Sequence, residues 1–240
     1  MEFVDEAGVP ETFNVVLYGP MGSGKSTAAA TAPGPILWVN AEGTGSIQYA
    51  RKVARSRGTE IREVRLVRKT DPRPQLRELL SYAKNTESDA PATVVIDTLG
   101  RVRDMLADVL VRPGSRDTRD QWGEVANILG TVCFDLFDLA ALNVVLLAHE
   151  SVEDADGDRI VRPQIGGVLT ERIPAAADVV GYCGVIREEE TDGVRYAAAL
   201  VETSGRRAKD RSGGLGTLRD LDLSEWLTTY RAALEAPQEP

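Results

Sequence analysis

A glycine-rich run, GPMGSGKST at residues 19–27, follows a short apolar segment and restricts this chain's folding more than any other feature. Glycine lacks a Cβ, so its peptide can turn inward and offer backbone amides to an anion without a side-chain clash. Gly19, Gly24, Lys25 and Ser26 stand at the spacing of a loop that cradles a nucleoside triphosphate, with Pro20, Met21, Gly22, Ser23 and Thr27 completing it. Residues 14–18 read as a buried strand, and a helix through Ala30 begins directly after the lysine. The dipole at the start of that helix adds to the attraction for phosphate. A glycine turn with no strand before it and no helix after it would be only a turn.

The remaining apolar runs follow the same alternation. Residues 36–40, 61–67, 92–97 and 143–148 read as strands, and residues 47–57 and a stretch from Pro72 to Ala83 as helices. A long helical stretch is clearest over residues 122–141, where Val125, Ile128, Leu129, Val132, Leu136 and Leu139 recur at helical spacing. Strands that are apolar throughout and alternate with helices predict an α/β fold, a mainly parallel central sheet flanked by helices. After His149 the pattern changes. Residues 153–158 read as an acidic turn and 163–174 as a loop. Residues 179–186 and 195–202 read as a strand pair turning near Asp192 and Gly193, a C-terminal antiparallel extension. A helix over 223–236 closes the pattern. One domain over residues 1–236 with a flexible tail over 237–240 is expected.

Composition removes several chemistries. The formal charge is −9 and there is a single histidine, His149. A multi-histidine metal centre is excluded, and any contact with nucleic acid must come from local basic patches. Cys133 and Cys183 are the only cysteines, both inside apolar patterns, as in a reduced cytoplasmic protein. The acidic start over residues 1–6 is unlike an export signal, and no apolar run reaches bilayer length, so no membrane is expected.

Three strand ends supply further candidates, because ligands in an open α/β sheet bind at the carboxyl ends of its strands. Asp97 ends the strand TVVID and is placed to hold Mg²⁺ together with Ser26. Glu42 follows the second strand, where a carboxylate can orient an attacking water or stand as a solvated loop acid. His149 follows the strand ending at Ala148, as a sensor of the terminal phosphate or as a polar strand end. ATP and Mg²⁺ are the expected cofactors.

These segments resemble the RecA/RadA group of P-loop ATPases, in particular the compact phage-encoded members that act in single-strand annealing and recombination. ILWVNAEGTGSIQYARK is similar to the strand that ends in that group's catalytic glutamate, which implies that role for Glu42. VVIDTLG resembles the metal-holding strand, and NVVLLAHE the strand whose end reads the γ-phosphate, here His149. KDRSG at residues 209–213 is similar to a K-x-R-x-G element that reaches the triphosphate of a neighbouring subunit. The resemblance implies a RecA-like fold, ATP hydrolysis and a homo-oligomer in which Lys209 and Arg211 act in trans.

It also implies single-stranded DNA as a partner, contacted by two loops. These are residues 111–121, with Arg112, Arg116 and Arg119, and residues 151–174, with Arg159, Arg162 and Arg172. Both carry acids too, including Asp117, Asp120, Glu153, Asp154, Asp156 and Asp158, so ordinary surface loops remain an equal reading. Residues 51–77 are rich in arginine, as a solvated face is. Two other functions use the same loop: a small-molecule phosphotransferase, with residues 157–174 as a lid, and an assembly module that binds ATP without needing turnover. A DnaB-like helicase motor is a nearer relative of the main reading.

Overall fold

A computed structural model describes residues 8–84, 90–112, 114–115, 117–155, 158–188, 193–203 and 205–236. Arg116, Asp156 and Asp192, the acidic start over residues 1–6 and the tail over 237–240 lie outside the described residues.

The first half of the chain follows the expected alternation. It runs β1 (Asn14–Gly19), α1 (Lys25–Ala29), β2 (Ile36–Asn40), α2 (Gln48–Ser56), β3 (Ile61–Arg65), α3 (Arg73–Ala83) and β4 (Thr93–Asp97). Next come α4 (Leu99–Leu110), α5 (Thr118–Phe137), β5 (Asn143–Ala155), β6 (Asp158–Pro163), α6 (Leu169–Ala176), β7 (Val179–Glu188) and β8 (Gly193–Ala199). The chain closes with β9 (Lys209–Asp210), β10 (Leu218–Asp220) and α7 (Leu223–Glu235). Pro72 is the N-cap of α3 and Pro74 sits in its first turn, where a missing backbone N–H costs nothing.

Among the described residues the strands form one sheet in the order β10-β8-β7-β1-β5-β4-β2-β3, with β6 paired to β5 and β9 to β7. β1 lies parallel between β5 and β7, and β4 parallel between β5 and β2. β8 and β10 add antiparallel to one edge. The fold is therefore α/β, mainly parallel with an antiparallel extension. β1, β2 and β4 are buried along nearly their whole length, which is why they read as continuous apolar runs and not as alternating ones. α3–α6 cover one face over a core that includes Leu79, Met105, Leu129 and Ile173. α1, α2 and α7 cover the other, around Trp38, Ile47, Leu223 and Trp226. No helix among the described residues is long and apolar enough to cross a membrane.

Three expectations need correction. The long helical stretch is two helices, α4 and α5, and the second ends at Phe137. The acidic segment over 153–158 is not a free turn: β5 continues through Ala155 and returns as β6, a hairpin with Ser151 opposite Arg162 and Glu153 opposite Ile160. Ladder hydrogen bonds hold it in spite of the acids, and propensity did not show them. The expected loop over 163–174 contains α6, which tolerates Pro174 near its end. Both expected DNA loops are thus shorter than their sequence ranges, since Thr118 already belongs to α5 and residues 158–163 to β6.

Candidate active site

Gly19 and Gly24 of the 19–27 run are required by close approach as well as by conformation. Gly19 has φ 147°, and a Cβ there would lie 2.3 Å from the Cys183 carbonyl oxygen. Gly24 caps α1 at φ 88°, and a Cβ would meet Leu221 Cδ1 at 2.8 Å. A side chain at either position would push the loop out of place. The loop tip itself is open, with Met21 89% exposed.

Lys25 is buried, and burial lowers the pKa of its ammonium. Its Nζ donates to the carbonyls of Gly19 at 2.9 Å and Pro20 at 2.7 Å, folding the side chain back over the loop. These carbonyls hold the charge in place of phosphate oxygens, so a triphosphate takes over an interaction that is already organised. Ser26 Oγ donates to Asp97 Oδ2 at 3.2 Å.

Asp97 is 3% exposed and its pKa is pushed up to about 6, chiefly by burial and secondly by the nearby Glu42 charge. The Ser26 hydroxyl and the Lys25 charge act the other way and favour the ionised form of the same carboxylate. A buried carboxylate beside a hydroxyl and a second carboxylate suits a hard divalent cation with oxygen ligands. Among the described residues no cluster of three or more His, Cys, Asp or Glu could form a cage for a metal ion. One carboxylate and one hydroxyl, completed by substrate phosphates and water, is the way Mg²⁺ is usually held, and these residues fit it.

Glu42 is placed by Asn40, at the end of β2. The Asn40 Oδ1 accepts from the backbone amides of Glu42 at 2.9 Å and Gly43 at 3.2 Å, and its Nδ2 donates to the Gly43 carbonyl at 2.8 Å. Thr98, joined to Asp97 by a cis peptide, donates from its hydroxyl to Glu42 Oε1 at 2.6 Å. His149 Nε2 lies 3.5 Å from the same oxygen. Lys25, Ser26, Glu42, Asp97, Thr98 and His149 line one open cleft of about 1030 Å³ that also includes Tyr49 of α2, Tyr196 of β8 and Leu221. The parallel register brings them together, since Gly19 pairs with His149 and Asn40 with Asp97.

Lys209 and Arg211 are elsewhere. Lys209 Nζ donates to the carbonyls of Ala175 at 2.8 Å and Ala177 at 2.5 Å, at the end of α6. Arg211 Nη1 pairs with Asp178 at 2.7 Å, and Asp178 in turn accepts from the Asn14 backbone amide at 2.8 Å. That is the opposite end of β1 from the glycine loop, about 16 Å away at the usual strand rise. The two cations do not reach the cleft of their own chain.

The expected DNA arginines divide into two groups. Arg162 is engaged by Glu171 at 3.2 Å and Glu153 at 3.8 Å, and Arg172 stacks over Phe134 at 5.3 Å. Arg112, Arg119 and Arg159 are exposed and make no ion pair among the described residues. Sequence reasoning missed Asn40, Tyr49, Tyr196 and Leu221. The asparagine at a strand end, just before Glu42, was a readable signal. Tyr49 lies close to Glu42 in the sequence, whereas Tyr196 belongs to a distant strand that only the fold brings to the cleft.

A family profile described as an AAA domain, AAA_24, matches residues 11–212. No curated protein matches the chain. Among solved structures, a KaiC-like protein from the hyperthermophilic archaeon Pyrococcus horikoshii OT3 aligns with a TM-score of 0.48 at 18% identity, covering 82% of this chain and 81% of that one. With a family match over most of its length, the chain belongs to the AAA_24 family of AAA domains.

Proposed function

We propose that the protein hydrolyses ATP with Mg²⁺, that a second copy of the chain completes the site, and that nucleotide state governs binding of single-stranded DNA. One observation carries the hydrolytic part: the Glu42 carboxylate, gripped by Thr98 and beside His149, shares a cleft with Lys25, Ser26 and Asp97. A carboxylate so held can align a water for in-line attack and take up its proton. Lys25 and the loop amides neutralise phosphate charge, and Ser26 with Asp97 hold the cation. Bound Mg²⁺ would supply neutralisation of the phosphate charge.

The two-subunit part is supported by distance. Lys209 and Arg211 sit at the far end of the sheet from the glycine loop, so any triphosphate they contact is a neighbour's. The DNA part is supported by the resemblance and by the exposure of Arg112, Arg119 and Arg159. β5 links the two parts, because one continuous strand carries His149 at the cleft and then the hairpin with Arg159.

Steady-state ATP turnover with and without single-stranded DNA, at low salt, tests the whole reading. Turnover that requires Mg²⁺ and rises with DNA is expected. Turnover indifferent to DNA removes the DNA part, and no affinity for triphosphates removes all of it.

A further inference from the structure

The face of the sheet behind the glycine loop carries a strap that ties the His149 strand to the far side of β1. Pairing between β1 and β5 ends at Gly19 opposite His149. Beyond that point β5 leaves the sheet and pairs only with β6. Successive strand residues face opposite sides, so where His149 faces the cleft, Glu150 faces the rear. There its carboxylate accepts a 2.9 Å hydrogen bond from the Tyr182 hydroxyl.

Tyr182 belongs to β7, the strand on the other side of β1, so this bond crosses behind Gly19. The Tyr182 ring meets Tyr18 edge-on at 5.3 Å and lies under the Arg206 guanidinium at 4.8 Å. Burial and the Glu150 contact raise its pKa, which keeps the hydroxyl a donor at neutral pH. Tyr18 completes the tie. Its hydroxyl donates to the Arg207 carbonyl at 2.6 Å and lies 3.2 Å from the Val161 carbonyl of β6. The hairpin also closes on His149 itself, since Gln164 N donates to the His149 carbonyl at 2.8 Å.

We propose that Tyr182, through Glu150, is the positioning residue that sets where His149 sits against the terminal phosphate and transmits that position to the hairpin. Glu150 accepts no other side-chain hydrogen bond among the described residues, so the Tyr182 hydroxyl fixes its side chain at the point where β5 leaves the sheet. A displaced strand end moves His149 relative to Glu42 while Lys25, Ser26 and Asp97 keep their hydrogen bonds; the Glu150 charge also acts on Lys25, so affinity is read in Tyr182→Phe, which keeps that charge. Turnover should therefore suffer where nucleotide affinity does not. This inference rests on hydrolysis in the cleft as proposed above.

Tyr182→Phe keeps the ring between Tyr18 and Arg206 and deletes only the hydroxyl. Its kcat is expected to fall about ten- to a hundredfold while the Kd for Mg-ATP stays within about threefold, as for a small displacement of a group that acts only in the reaction. Glu150→Gln retains an acceptor oxygen and is expected to keep kcat within about threefold of the parent, whereas Glu150→Ala should repeat the Tyr182→Phe loss and serves if that variant does not fold. In Tyr182→Phe, hydrogen exchange over residues 150–163 should also accelerate. Wild-type kcat in both Tyr182→Phe and Glu150→Ala, or losses that only track a fall in Tm, overturn the proposal. If the unsubstituted protein does not turn ATP over, it is the functional reading that has failed, and the two failures are distinguished by that control.

Discussion

The Thr98 hydroxyl donates a 2.6 Å hydrogen bond to Glu42 Oε1, joining the residue after Asp97 to the carboxylate one strand away. β4 and β2 are neighbours in the sheet, and the Ala41 amide also donates to the Asp97 carbonyl at 2.7 Å. Glu42 and Asp97 are therefore tied to one another. In the proposed reaction Thr98 occupies one Glu42 oxygen and the other would orient the water.

This arrangement separates binding from turnover. Glu42→Gln should bind Mg-ATP with near-parental affinity and lose about 10²- to 10⁴-fold in kcat, the usual worth of a general base. Thr98→Ala should lose less, about tenfold, because it frees the carboxylate without removing it. Equilibrium binding of a fluorescent ATP analogue beside a phosphate-release assay checks both.

Lys25→Ala acts earlier. With its ammonium gone, triphosphate affinity should fall by about two orders of magnitude, in keeping with the loss of a buried, charge-assisted contact. The carbonyls of Gly19 and Pro20 would lose their donor as well. Calorimetric titration with Mg-ATP reads the loss directly.

Asp97 predicts a pH dependence with a definite sign. It is an acid whose folded pKa, about 6, lies above the unfolded value, so the folded protein holds the extra proton between about pH 4 and pH 6. Its stabilising contribution is present at the acid end of that window and is lost as pH rises through it, by on the order of 3 kcal/mol in total. In the absence of nucleotide and metal, Asp97→Asn should raise Tm relative to the parent at pH 7, and the difference should close towards pH 4.5. The same substitution should abolish the Tm gain that Mg-ATP confers. Thermal scans at the two pH values, with and without Mg-ATP, decide it.

Arg211→Ala tests the subunit boundary. Its side chain is half exposed and paired with Asp178, so the stability cost should stay within about 1 kcal/mol. Turnover should nonetheless fall by about three orders of magnitude if the guanidinium stabilises a neighbour's transition state. Mixed with unsubstituted protein, the variant should lower activity non-linearly with its fraction. A strictly proportional decline refutes action in trans.

The legible parts of the site were those in which local chemistry is dense. Gly19, Gly24, Lys25 and Ser26 must be contiguous to wrap one polyphosphate, so their purpose shows in a single window. Asp97 and Glu42 were readable because each ends a continuous apolar run, and a polar residue there marks the ligand edge of a parallel sheet. The hairpin was not readable. Its strands carry Glu153, Asp154, Arg159 and Arg162, and only pairing across residues 150–163 makes strands of them. α6 was hidden in the same way by glycines before it and a proline within it.

From its order of residues alone, the chain determined a phosphate-binding loop between a strand and a helix, an alternating α/β plan and the carboxylates at two strand ends. These depend on interactions between near neighbours, where residue type and spacing suffice. Tertiary structure decided what sequence distance conceals. It set Thr98 against Glu42 and Tyr182 against Glu150, and it brought Tyr196 to the cleft and held Lys209 and Arg211 at the far end of the sheet. The register of parallel strands far apart in the chain fixes those meetings, and no local pattern encodes that register.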